Sequence, residues 1–117
     1  MIPDKAKDLG RFVGQSDEYQ ALKRANDRLM AEAQLRRALE RLRTLQIQVA
    51  ETLDRGQQPT AEQQGEIDRV VSEVQAHPAY QGVVAAQANF DKLMLKVNEW
   101  ILEGIRTGSE SRIITLG

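Results

Sequence analysis

The sequence predicts an all-α protein: an antiparallel helical bundle of about five helices, two of them long. Three observations predict it. Apolar residues recur at spacings of three and four along most of the chain, the spacing that puts them on one side of an α-helix. The three prolines, Pro3, Pro59 and Pro78, all fall outside these stripes. Helix-start signals, Ser16 before Asp17-Glu18 and Thr60 before Gln63, precede the apolar faces they open.

The first helix opens at Pro3 and Asp4, with Ala6, Leu9 and Val13 on one face and Phe12 beside them. Gly14 is expected to stop it through a left-handed conformation. Ser16, followed by Asp17 and Glu18, then supplies a hydroxyl cap and acidic residues at the positive end of the next helix dipole. Helix two runs from about Asp17 to about Met30 and is expected to bury Tyr19, Leu22, Leu29 and Met30. Ala31-Glu32-Ala33-Gln34 contains no breaker, yet an unbroken helix over 17–55 would extend about 58 Å, more than a small bundle can cover. A bend or short break near Ala31–Ala33 is therefore expected.

Helix three carries the stripe Leu35, Ala38, Leu39, Leu42, Leu45, Val49 and Leu53, and ends at Gly56 before Pro59. Thr60 caps helix four, with Gln63 placed to reach back to the cap amide, and Ile67, Val70, Val71 and Val74 form its apolar face. His77-Pro78 closes it, because proline disfavours helical geometry in the residue before it. Helix five is expected from near Ala79 to about Arg106. Its stripe is Phe90, Leu93, Met94, Val97, Trp100, Ile101 and Ile105, and Trp100 is read as core. Residues 1–106 thus form a single helical domain, and 107–117 a flexible tail: the connector Thr107–Ser111, then the apolar tip Arg112–Leu116.

Two helices carry more apolar residues than one contact requires. Ile47 lies outside the main stripe of helix three, while Val84, Leu95 and Leu102 make a second ridge on helix five. These four are the interface candidates, facing either another helix of the chain or a subunit partner.

Composition narrows the function classes. The chain has a net charge of −1, and with 4% aromatic residues it offers few platforms for stacking nucleic-acid bases. It contains no cysteine, which excludes disulfides, thiolate metal sites and cysteine nucleophiles on this chain. No stretch approaches the roughly 18 apolar residues of a membrane span, and the first residues lack a signal-length apolar core, so the expected compartment is the cytoplasm. His77 is the single histidine and has no partner for metal or base chemistry. Glu62 with Glu66, and Glu99 with Glu103, lack the Glu-x-x-His pairs that di-metal bundles add. No catalytic residue, metal site or cofactor is expected, and the protein is read as no enzyme.

Charge is uneven. Residues 21–43 hold seven basic and three acidic side chains, whereas 44–75 hold two basic and six acidic. Arg36, Arg37, Arg41 and Arg43 are candidates for a basic face that would bind nucleic acid. The competing reading is a solvated surface stitched by Glu32–Arg36, Glu51–Arg55 and Arg69–Glu73 pairs at helical spacing. Arg24–Arg28 and Arg37–Arg41 place like charges at that same spacing, a repulsion that calls for a partner.

Several motifs in order resemble one known family. Leu9-Gly10, Ser16-Asp17-Glu18-Tyr19-Gln20-Ala21-Leu22-Lys23 and Glu32-Ala33-Gln34 are followed by Gly56, Pro59-Thr60 and His77-Pro78-Ala79-Tyr80. Ala86-Gln87, Leu93 and Val97-Asn98-Glu99-Trp100-Ile101 complete the set. From about residue 6 to about residue 106 this is similar to the YlbF/YmcA family of bacterial regulatory proteins, which includes a YheA-like branch. The resemblance implies two long antiparallel helices and frequent homo-oligomers. It also implies association with related members in control of competence, sporulation and biofilms, acting with the endoribonuclease RNase Y in mRNA processing. Family members have been associated with flavin and iron–sulfur cofactors, but a chain without cysteine cannot ligate a cluster by thiolates. The family usually places an acidic residue and a proline before Glu-Ala-Gln, where this chain has Met30-Ala31. The resemblance carries over no catalytic residues.

The expected function is that of a regulatory adaptor acting through protein–protein contacts, with direct nucleic-acid binding as the alternative.

Overall fold

The computed structural model describes the backbone of residues 1–116 and the side chains of residues 1–110. Five helices follow in order: α1 (Ile2–Gly14), α2 (Asp17–Ala31), α3 (Ala33–Asp54), α4 (Ala61–Ala76) and α5 (Pro78–Leu116). No strand occurs among the described residues.

The junctions follow local chemistry. Ser16 Oγ accepts from the Tyr19 amide, 3.1 Å away, and donates to the Val13 carbonyl, tying the end of α1 to the start of α2. At Thr60 the capping box is complete: Thr60 Oγ1 accepts from the Gln63 amide, and Gln63 Oε1 accepts from the Thr60 amide, both at 3.0 Å. His77 Nδ1 accepts from the Ala79 amide, and Pro78 opens α5, where its missing N–H costs nothing. The break between α2 and α3 falls on one residue, Glu32, which is extended at φ −86° and ψ 100°. Arg36 Nη1 donates to the freed Met30 carbonyl at 2.6 Å, so a side chain does at this bend what a proline would otherwise enforce.

Gly14 ends α1 without a left-handed turn, contrary to expectation. The chain rounds the corner at Gln15 with φ −92°, and among the described residues only Gly56, at φ 76°, is left-handed.

The helices form two antiparallel pairs. In one, α3 and α4 face each other across Leu35, Ala38, Leu45, Val70 and Val74, joined by Leu29 and Ala79 where α2 ends and α5 begins. Leu35 is 2% exposed and Leu45 is 1% exposed. In the other, α2 lies along α5, burying Leu22, Ala86 and Val97 and setting Tyr19 edge-on to Phe90 at 5.6 Å. On α2, Tyr19 and Met30 stay exposed while Leu22 and Leu29 are buried.

α5 departs most from expectation. It does not end near Arg106 but continues as helix through Thr107–Glu110 and on to Leu116. No proline interrupts it, and the Thr107 hydroxyl bonds back to the Glu103 and Gly104 carbonyls within the helix. The apolar tip Arg112–Leu116 has its side chains outside the described residues. Trp100 is not core: it is 57% exposed, with Ile101 and Ile105 likewise exposed. Val97 is the last buried residue of the stripe; beyond it the start of α2 at Asp17 faces α5 only across an open hollow that reaches Trp100.

Two helix pairs and a projecting helix make an extended molecule, 71 × 36 × 20 Å, with a radius of gyration of 21.9 Å. A compact chain of this length would have about 13 Å. The accessible surface is 9124 Å², against about 6,400 Å² for a compact monomer of this mass.

Candidate protein-interaction surface

Every residue from Asn98 to Glu110 is exposed, although this stretch of α5 includes Trp100, Ile101, Leu102 and Ile105. These residues point to several sides of the helix. A helix that is apolar all round belongs inside something, and a free helical segment of this length is marginal in water.

The ridge expected on α5 is present and bare. Val84 is exposed, as are Leu95 (62%) and Leu102 (59%). With Ala88, Asp91, Asn98 and Ile105 they alternate at spacings of four and three, the seam of a heptad. The two ends of this seam differ in shape. Toward the C-terminus stand the bulky Leu95, Leu102 and Ile105. Toward the N-terminus are small residues beside an open, mainly apolar hollow of about 500 Å³, lined by Gln75, Tyr80, Gln81, Val84, Ala85 and Ala88. Alongside the seam, helical spacing aligns Lys92, Lys96, Glu99 and Glu103 in that order, basic then acidic. Lys96 Nζ sits 3.4 Å from Glu99 Oε2, both side chains exposed.

The fourth interface candidate, Ile47, is exposed on α3, a separate element from the α5 ridge. The structure also holds an apolar groove that periodicity does not reveal. Ala6, Leu9, Gly10 and Val13 of α1 face Phe90, Met94, Val97 and Ile101 of α5 across about 340 Å³ of open space. The apolar face of α1 was legible, but its stand-off from α5 depends on the turn at Gln15.

The basic-face candidates sit on α3, and all four are exposed. Two are already engaged within the chain. Arg36 holds the Met30 carbonyl. Arg41 reaches across to α4, its Nε 2.9 Å from Glu66 Oε1, so the partner that relieves the Arg37–Arg41 repulsion is a carboxylate of the same molecule. Glu51–Arg55 forms at 3.9 Å.

Among the described residues no three His, Asp or Glu side chains are grouped to hold an ion, and the chain has no thiolate for an iron–sulfur cluster. No helix among them is long and apolar enough to cross a membrane.

The chain is 28% identical over 104 residues to a UPF0342 protein of Desulfitobacterium hafniense (strain Y51), covering 89% of this chain and 79% of that one. It is 27% identical over 102 residues to a UPF0342 protein of Bacillus pumilus (strain SAFR-032), covering 87% and 86%. A UPF0342 protein of Leuconostoc citreum (strain KM20) is 19% identical over 104 residues, covering 89% and 88%. None of these three names carries the YheA-like branch. Residues 2–106 match the family described as "Control of competence regulator ComK, YlbF/YmcA". With nearly its whole length matched, the chain belongs to the YlbF/YmcA family.

Proposed function

We propose that this protein is a non-enzymatic regulatory adaptor of the cytoplasm that works through protein–protein contacts. Its role is in RNase Y-linked RNA processing or in developmental gene control. One observation carries the proposal: every residue of α5 from Asn98 to Glu110 is exposed, and this stretch is apolar on several sides. Such a segment costs solubility and stability unless a protein surface covers it. Its partners are itself, related family members or an RNase complex. Family membership, with its link to control of a competence regulator, supports the regulatory part.

The test is made in a host that has RNase Y. Deleting the protein should shift the 5′ ends of RNase Y-processed transcripts, and a Leu95→Glu/Leu102→Glu variant should reproduce the shift at wild-type protein levels. Unchanged transcript ends after deletion would remove the RNA-processing reading.

A further inference from the structure

We infer that α1 is a tethered lid, which swings about Gln15 and Ser16 onto the apolar face of α5 and closes the hollow between them. Closure covers Met94, Val97 and Ile101, so α1 competes with whatever docks on that stretch of α5. The competition rests on the reading of α5 as a contact surface; the closure does not.

α1 is a helix without cover. Its 13 residues bury no side chain, and a free helix of that length is marginal in water. Helical spacing nonetheless sorts it into two faces, with Ala6, Leu9 and Val13 on one and Asp4, Asp8 and Arg11 on the other. A stripe of that kind belongs against a second apolar surface.

The matching surface is in place but out of reach. Across about 340 Å³ of open space stand Phe90, Met94, Val97 and Ile101 of α5. Packed helices bring their axes to about 8–10 Å. Among the described residues, however, no α-carbon of α1 lies within 8 Å of one on α5. Two apolar faces of one chain thus confront each other unpacked.

The hinge lies between them. Only Gln15 and Ser16 separate α1 from α2, the one helix that α1 approaches among the described residues. A Cβ added at Gly14 would meet nothing within 4 Å, so the corner has room to turn. One bond from beyond the turn sets its angle: Gln20 Nε2, on α2, donates to the Gly14 carbonyl at 2.8 Å. Gln20 is the latch of the open form, and rotation about Gln15 releases it.

A chain without cysteine lets closure be measured in the whole protein. A disulfide needs α-carbons within about 7 Å, nearer than any pair between α1 and α5 in the open form. Leu9→Cys/Met94→Cys and Leu9→Cys/Ile101→Cys proteins are oxidised at high dilution. At least one should close a bond within its own chain, read as faster migration on a non-reducing gel. Arg11→Cys/Met94→Cys, with one cysteine on the far face of α1, should not. Failure of both Leu9 pairs, or equal linking of the Arg11 pair, would overturn the inference. So would bonds formed only between chains, which would give the hollow to a second copy. Leu9 and Ile101 are both exposed, so their double variant should keep the wild-type melting curve.

Adding Gln20→Ala to the linking variant should speed bond formation about fivefold, the effect of losing one hydrogen bond from the open form. An unchanged rate would remove Gln20 as the latch. Covering is read with the apolar-surface dye anilinonaphthalene sulfonate, which should emit less with the oxidised protein than with the same protein after reduction. Equal emission would overturn the competition. No bond in a protein whose deletion shifts transcript ends would sink the lid and leave the adaptor reading intact. A bond in a protein whose deletion changes no transcript would do the reverse.

Discussion

The α3–α4 pair and the C-terminal half of α5 have similar apolar periodicity and opposite fates. On α3, Leu35 and Leu45 reach 2% and 1% exposure because α4 returns antiparallel over them after a short turn. On α5, Leu102 and Ile105 remain about three-fifths exposed because the chain supplies no helix that far along. A stripe at helical spacing thus records that a face is destined for burial. Which element, or which molecule, covers it depends on where the neighbouring helices end.

The comparison sharpens most at Leu45. Leu45→Ala should destabilise the fold by about 2–5 kcal/mol, the cost of lost burial plus a cavity, measured by urea unfolding at low protein concentration. Under the same conditions Leu102→Ala should change monomer stability by less than about 0.5 kcal/mol. Equal losses at both sites would show that the end of α5 has a partner within its own chain.

A smaller effect is expected at the turn that creates the α3–α4 pair. Thr60→Ala removes the hydroxyl from a complete capping box and should cost about 1 kcal/mol, visible as a lowered melting temperature. Smaller still is the strut between the two helices. Arg41→Ala breaks an exposed ion pair with Glu66 and should cost about 0.2–1 kcal/mol, less at high salt. If Arg41→Ala proved more damaging than Thr60→Ala, the pair would depend on its surface link more than on its turn.

What the sequence made legible was mostly local. Ser16, the Thr60–Gln63 box and His77-Pro78 mark helix ends through hydrogen bonds that span a few residues, so their positions could be read directly. The break near Glu32 followed from length alone, while the Arg36–Met30 bond that stabilises it depends on a side chain folding back and left no pattern. Gly14 misled because a helix can turn a corner without a left-handed residue when Gln15 and Ser16 complete the bonds. Thr107 and Gly108 suggested a connector on composition, yet the helix carries through them.

The ridge Val84–Leu95–Leu102 was visible as an excess of apolar residues. Its bareness was not, since that depends on α2 packing on the Ala86–Val97 side of α5 and leaving the ridge side open. Arg41 looked like half of a repulsive pair until the fold brought Glu66 beside it from 25 positions away. Trp100 was misassigned because periodicity places it on a buried-type face but cannot say where cover stops.

The position of Trp100 also gives the protein a built-in optical probe. It is the single tryptophan of the chain, carried on the uncovered stretch of α5 next to the Lys92–Glu103 row. An indole in contact with water emits toward the red, and one whose surroundings dry out shifts toward the blue. Intrinsic emission from unlabelled protein therefore registers docking on this part of the helix directly, whichever molecule arrives.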